Sequence, residues 1–286
     1  MAIHRQLSEL IFREQHHLPL DGDVITIGRL CVELLPQDAK DLARSCGLSV
    51  TEEELELEER IIRGANGKRI SDKAFFHLLN VEHLSSLDVS EYEGANHIHD
   101  LNILIPNELE EKFDFIVDGG TSDNVFDPAM TLRNLSKMLK PGGRVVATNM
   151  ASNHQTPYVI FNAIWFLDYF VVNKFNDCKV YICIFRDLHH WNVFTYDLEY
   201  LASSPSRLLN IETPYRTLAL MLAEKSHESS WDEIPTQWQY RSDGERSIYS
   251  GKIRKFLSSK RPPLLRSNCE RFVDDVPDGY LYVEME

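Results

Sequence analysis

Between residues 84 and 148 the chain sets short apolar runs against helix-like segments, and three successive runs end on an acid. Residues 84–89 end near Asp88, residues 96–101 end near Asp100, and residues 113–117 run straight into Asp118-Gly119-Gly120. A fourth run, 144–148, is rich in β-branched residues, and a helical pattern over 128–140 separates it from the third. Strands alternating with helices predict a parallel sheet covered by helices on both faces. Ligands of such open sheets bind beyond the carboxyl ends of the strands. Acids there offer acceptors to hydroxyls and amines, and glycines let a ligand approach the backbone. The expected fold class is therefore α/β, with a doubly wound, mostly parallel, Rossmann-like sheet.

The rest of the chain extends this rhythm. A helix is expected over 3–16, a strand over 24–27 ending at Gly28-Arg29, and a helix over 35–43. Thr51 followed by three glutamates predicts another helix, broken between Gly64 and Gly67, because acids in a first turn suit the helix dipole. Ser71-Asp72 opens a further one. Pro141-Gly142-Gly143 is expected to stop the 128–140 helix. An apolar helix is expected over 157–169, and strands over 179–185 and 217–223. After Ser226 the sequence turns polar and irregular. The division expected is an N-terminal helix over 1–20, a main unit over 21–226 with a helical insertion over about 31–80, and a C-terminal extension over 227–286.

Charge and composition exclude several roles. The chain has 286 residues and a net charge of −14, so it lacks the basic balance that nucleic-acid binding needs. The basic residues Lys252, Arg254, Lys255, Lys260, Arg261 and Arg266 are read as a solvated face. The apolar segment 158–172 is interrupted by Asn162 and Asp168 and falls short of the roughly 20 residues of a membrane span. The N-terminus carries no apolar signal core. Five scattered cysteines with no Cys-x-x-Cys pair predict reduced thiols and a cytoplasmic protein. His97 and His99 share one strand face, but Asp100 has a better use and no third ligand is evident, so no metal is expected.

The stretches SLDVSEYEGANHIHDLN and FDFIVDGGTSDNVFDPAMTLRNLSKMLKPGGRVV resemble the class I S-adenosylmethionine-dependent methyltransferases, and by element order the resemblance spans roughly 21–226. It implies a seven-stranded sheet and S-adenosylmethionine as cofactor. It places Gly28 against the methionine part, Asp88 on the ribose hydroxyls, and Asp100 with the backbone of Leu101 at the adenine. Asp118 and Gly119 would line the sulfonium end, with Thr121 closing that wall. The chain departs from the family after its first strand. Gly28 stands alone where a glycine-rich loop is usual, and Arg29 is either a cation for the methionine carboxylate or a surface residue. Ser122-Asp123-Asn124 stands where relatives often carry an acid–histidine pair.

The activity implied is methyl transfer to a small molecule, a sugar or a natural-product intermediate by family analogy. A base is needed only for a hydroxyl or a protonated amine, and His154 is the candidate, just past the 144–148 strand. Tyr158, His189 and His190 are candidate substrate contacts, against the plainer reading of surface loop. The aromatic helix over 157–169 is a candidate homodimer interface. A non-catalytic binding or assembly protein is the alternative. A nicotinamide-dependent dehydrogenase would need Gly-x-Gly-x-x-Gly, and ITIGRLCVEL lacks it.

Overall fold

The computed structural model describes residues 2–48, 50, 57–62, 65–152, 157–187, 189–203, 209–257 and 261–285. The chain opens with β1 (Ala2–Ile3) and α1 (Arg5–His17), followed by β2 (Asp23–Ile27), β3 (Cys31–Val32) and α2 (Pro36–Ser45). A hairpin of β4 (Leu57–Ile62) and β5 (Ala65–Ile70) leads to α3 (Asp72–His77), β6 (His83–Asp88) and β7 (His97–Ile98). Then come β8 (Phe113–Asp118), α4 (Pro128–Met138), β9 (Leu139–Met150) and α5 (Ile164–Val172). The last elements are β10 (Asp177–Phe185), β11 (Trp191–Tyr196), α6 (Leu198–Ser203), β12 (Arg216–Glu224), α7 (Asp243–Leu257) and β13 (Tyr280–Tyr282).

The main sheet has nine strands in the order β13-β11-β10-β12-β9-β8-β2-β6-β7. Strands β7, β6, β2, β8 and β9 pair in parallel. Strand β12 runs antiparallel to both β9 and β10, so β10 points the same way as the parallel set. From β7 to β10 this is the expected doubly wound, seven-stranded sheet with one reversed strand. Two further antiparallel strands, β11 and β13, extend it beyond expectation. The order changes direction at β2, which has β6 on one side and β8 on the other, and such a switch point opens a crevice at the carboxyl ends.

Both faces of the sheet are buried with the strand period of two. On β2, β9, β10 and β12, residues such as Ile25, Val145, Val180 and Met221 face one core with α4, α5 and α7. Their neighbours Val24, Val146, Tyr181 and Leu222 face the other with α1, α2 and α3. Continuous apolar runs, rather than alternating ones, are what a doubly covered sheet requires.

Three expected elements differ. The helix expected from Thr51 gives way to the β4–β5 hairpin, with Arg60 opposite Gly67; residues 51–56 lie outside the described residues. Pro141-Gly142-Gly143 does not sit between helix and strand but inside β9, which starts at Leu139. There Gly142 adopts φ +84°, and the pairing with β8 shifts register between Phe113 and Phe115. The irregularity accommodates the proline and glycines, as a bulge does. Helix α5 starts at Ile164, seven residues after the expected Pro157, because Asn162 Oδ1 accepts the Ile164 N–H at 3.2 Å and Phe161 N–H is bonded to the end of β9.

Charged groups tie the ends of the chain to the sheet. Glu14 of α1 is fully buried and accepts from Arg144 Nη1 at 2.6 Å and Arg261 Nη2 at 3.0 Å. Arg261 also meets Asp177 and Glu224 at 3.3 and 3.2 Å. Arg261 is thus a buried ion-pair centre, not part of a solvated basic face; burial is tolerated because its charge is shared among three carboxylates.

Candidate functional site at the carboxyl edge of the sheet

The parallel register brings the strand ends level. Ile27 lies opposite Leu87 on one side and Asp118 on the other, Leu87 lies opposite His97, and Asp118 opposite Ala147. Neighbouring strands are about 4.8 Å apart, so the ends of β7, β6, β2 and β8 span about 15 Å of one edge. Gly28, Asp88, Asp100 and Asp118 all fall on that edge.

Their side chains are not equivalent. Gly28 turns the chain with φ +76°, and its N–H donates to Leu87 O at 2.7 Å, locking the ends of β2 and β6 together. Asp88 is half-buried, and its Oδ1 accepts the Ser90 N–H at 3.2 Å. Its Oδ2 has no hydrogen-bond partner among the described residues. Asp100 is exposed, and Oδ1 accepts the Asn102 N–H at 2.9 Å and Asn102 Nδ2 at 2.7 Å. These hydrogen bonds hold its carboxyl below the usual carboxylate range. Leu101 is buried, and Asn134 Nδ2 donates to its carbonyl at 3.2 Å.

Asp118 faces inward. It is fully buried, accepts the N–H groups of Gly120 and Thr121 on one oxygen, and accepts Ser122 N–H and Oγ on the other. Burial pushes its carboxyl up against those hydrogen bonds. Its work is to shape the loop after β8. Thr121 Oγ1 donates to Ile27 O at 2.6 Å, closing the gap between β2 and β8.

The edge above Gly119 is occupied by the chain's own residues. A Cβ at Gly119 would stand 2.9 Å from Leu30 Cδ2 and 3.1 Å from Ala2 O. Ala2 N–H donates to Gly119 O at 3.1 Å, β1 pairs in parallel with β3, and His4 Nε2 lies 2.9 Å from Thr148 Oγ1. Arg29 is engaged as well: Nε and Nη2 meet Asp72 Oδ2 at 3.0 and 2.9 Å, and Nη1 donates to Glu93 O at 3.4 Å. Nothing in the alternation of strands signals that an N-terminal strand lies here.

Next along the edge is Asp123. It is 4% exposed, and Oδ2 accepts the Met150 N–H at 3.0 Å. Burial, with Asp118 adding repulsion, pushes its carboxyl up to about 6. In the sequence Asp123 showed only as part of a tripeptide lacking a histidine; its burial depends on the end of β9. Beside it Tyr158 and Phe126, 77% and 83% exposed, meet edge to face at 6.4 Å. His154 lies outside the described residues. His189 and His190 sit in the β10–β11 hairpin, where Asp187 accepts both N–H groups and lies 2.9 Å from His190 Nδ1. That hairpin is four strand spacings from β2, or about 19 Å, so the edge does not bring the pair to Gly28. His97 is half-buried against Phe113, and among the described residues no group of three or more potential ligands is placed to hold a metal.

No protein-family model and no curated protein sequence matches the chain. Many solved structures are similar to it, among them the following three. The citrinin polyketide synthase CMeT domain is 9% identical over 53% of this chain and 41% of that chain, with a TM-score of 0.34. The YcgJ protein of Bacillus subtilis is 11% identical over 77% and 98%, with a TM-score of 0.38. A Thermotoga maritima S-adenosylmethionine-dependent methyltransferase, described as a possible histamine N-methyltransferase, is 16% identical over 77% and 89%, with a TM-score of 0.35. The chain spans less than half the length of the first. At these scores the fold assignment rests on the chain's own strand order. No helix among the described residues is long and apolar enough to cross a membrane.

Proposed function

We propose that this protein is an S-adenosylmethionine-dependent methyltransferase acting on a small molecule, with the donor lying along the carboxyl ends of β2, β6 and β7. The observation that carries this reading is Asp88. It is a half-buried carboxylate at the carboxyl end of β6, next to the strand where the sheet order switches, flanked by a positive-φ glycine, with one oxygen uncommitted. That oxygen and the exposed Asp100 fit a ligand with ribose hydroxyls and an exocyclic amine. When bound, S-adenosylmethionine supplies a methyl group already activated on sulfur.

The chain's own residues then position the acceptor and exclude water. Gly28 lets the donor approach backbone, Leu101 borders the adenine, and Asp118, Gly119 and Thr121 hold the loop that forms the back wall. Arg29 acts through its pairing with Asp72. Tyr158, with Phe126, offers an aromatic wall to the acceptor, and His189 and His190 are more remote contacts. His154 is the proposed base where the acceptor carries a proton. Residues 21–226 form the proposed methyltransferase unit of a cytoplasmic protein whose partners are small molecules, not nucleic acid. A sugar or natural-product acceptor remains the family analogy, and α5 the proposed homodimer contact.

A second reading, a non-catalytic protein that binds or assembles, is favoured by one observation: Leu30 and Ala2 already cover Gly119. Calorimetry separates the two. Saturable heat with S-adenosylmethionine supports the enzyme, whereas no heat and no thermal shift at millimolar ligand supports the second reading.

A further inference from the structure

A cavity of about 560 Å³ opens between α5, α7 and the segments that precede β12 and β13. Its size is that of a small-ligand pocket. Asp168 and Tyr249 line its floor, both at least nine-tenths buried, and Tyr249 Oη donates to Asp168 Oδ1 at 2.5 Å. The Arg241 guanidinium is buried behind them, 3.7 Å from the centre of the Tyr249 ring and 3.3 Å from Asp168 Oδ1.

The hydrogen-bond balance of this wall is incomplete in both senses. Trp238 Nε1, on the lining, and Arg241 Nη1, behind the floor, are buried donors with no acceptor among the described residues. Such donors carry a desolvation penalty that a bound acceptor relieves. At the mouth, Glu212 and Asp275 are exposed carboxylates without an ion pair among the described residues, and Asn162 Nδ2 donates to Asn210 Oδ1 at 3.0 Å. An anion would satisfy the donors but face three carboxylates. A cation would suit the mouth but leave the Trp238 N–H unpaired, with the Arg241 charge just behind the floor. A hydroxyl both donates and accepts, so several hydroxyls on one small frame answer both sides. The apolar sides of Ile164, Leu209 and the Trp238 ring suit the C–H faces of such a frame.

We propose that this cavity binds a neutral polyhydroxylated molecule of about monosaccharide size. The proposal stands apart from the reading of the donor site, because it is tested with no methyl donor present. The full chain is titrated by calorimetry and followed by thermal shift with D-glucose, N-acetyl-D-glucosamine and myo-inositol, each raised to on the order of 10 mM. Glucuronate and putrescine serve as the anionic and cationic comparators. Saturable binding of at least one neutral probe, with a raised Tm, is expected. Asn210→Ala and Trp238→Phe, which leave the floor intact, are each expected to weaken it about tenfold. The proposal is overturned if no neutral probe saturates, if glucuronate or putrescine binds as tightly, or if both variants bind like the parent.

Discussion

At the edge of the sheet, chemistry depends on which way each carboxylate points. Asp88 keeps an oxygen free, whereas all four hydrogen bonds of Asp118 are made to its own loop. Asp88→Ala is therefore expected to weaken S-adenosylmethionine binding by on the order of 2–4 kcal/mol, and Asp100→Ala to weaken it less. Calorimetry on both variants checks this, and an unchanged affinity in the first removes Asp88 from the donor site. Asp123 makes a different prediction. Its folded-state value of about 6 lies above the ordinary carboxylate value of about 4, so between those values the folded protein holds a proton that the unfolded chain has released. Stability is then lost as pH rises from about 4 to about 6, and the loss is constant above, on the order of 3 kcal/mol from this group. Asp123→Asn should flatten that part of the profile. Denaturant melts at a series of pH values decide it, and a profile that keeps the parent's slope argues against the assignment.

At the scale of elements, the short strand β1 governs access to the edge. Its Ala2 carbonyl and the Leu30 side chain leave no room for a Cβ at Gly119. Leu30 can turn aside, but the Ala2 carbonyl is backbone in a paired strand, so Gly119→Ala is expected to lower stability by about 1–3 kcal/mol through overpacking. A thermal melt measures it, and a variant as stable as the parent would show that β1 yields without cost. The elements most legible in the sequence were those with unbroken periodicity. The strands β2, β6, β8, β10 and β12 and the helices α1, α2 and α4 appear within a few residues of where apolar spacing puts them. Strand β11, helix α7 and strand β13 were not anticipated, because they lie where polar residues interrupt the pattern. The β4–β5 hairpin replaced an expected helix, as acidic residues alone do not carry a helical apolar stripe.

Across the whole molecule, the two ends of the chain close on the sheet around Glu14. Its carboxylate meets Arg144 of β9 and Arg261 of the C-terminal segment with no access to water. Glu14→Ala would leave the buried Arg144 without its carboxylate and Arg261 with two of its three, and is expected to cost about 3–5 kcal/mol, read from chemical denaturation. A loss below about 1 kcal/mol would mean that Asp177 and Glu224 suffice for Arg261, and the Leu18 and Pro19 carbonyls for Arg144. Local order in the chain was enough to predict alternating strands and helices, a two-faced core, and three acids at or just beyond the carboxyl ends of parallel strands. These follow from side-chain period and from turn residues, which act over a few positions. Which acid stays open, which is sealed by its own loop, and that the N-terminal strand lies over Gly119 depend on the meeting of distant segments, Ala2 and Gly119 among them. Short-range pattern carries no record of those encounters; close packing in three dimensions decides them.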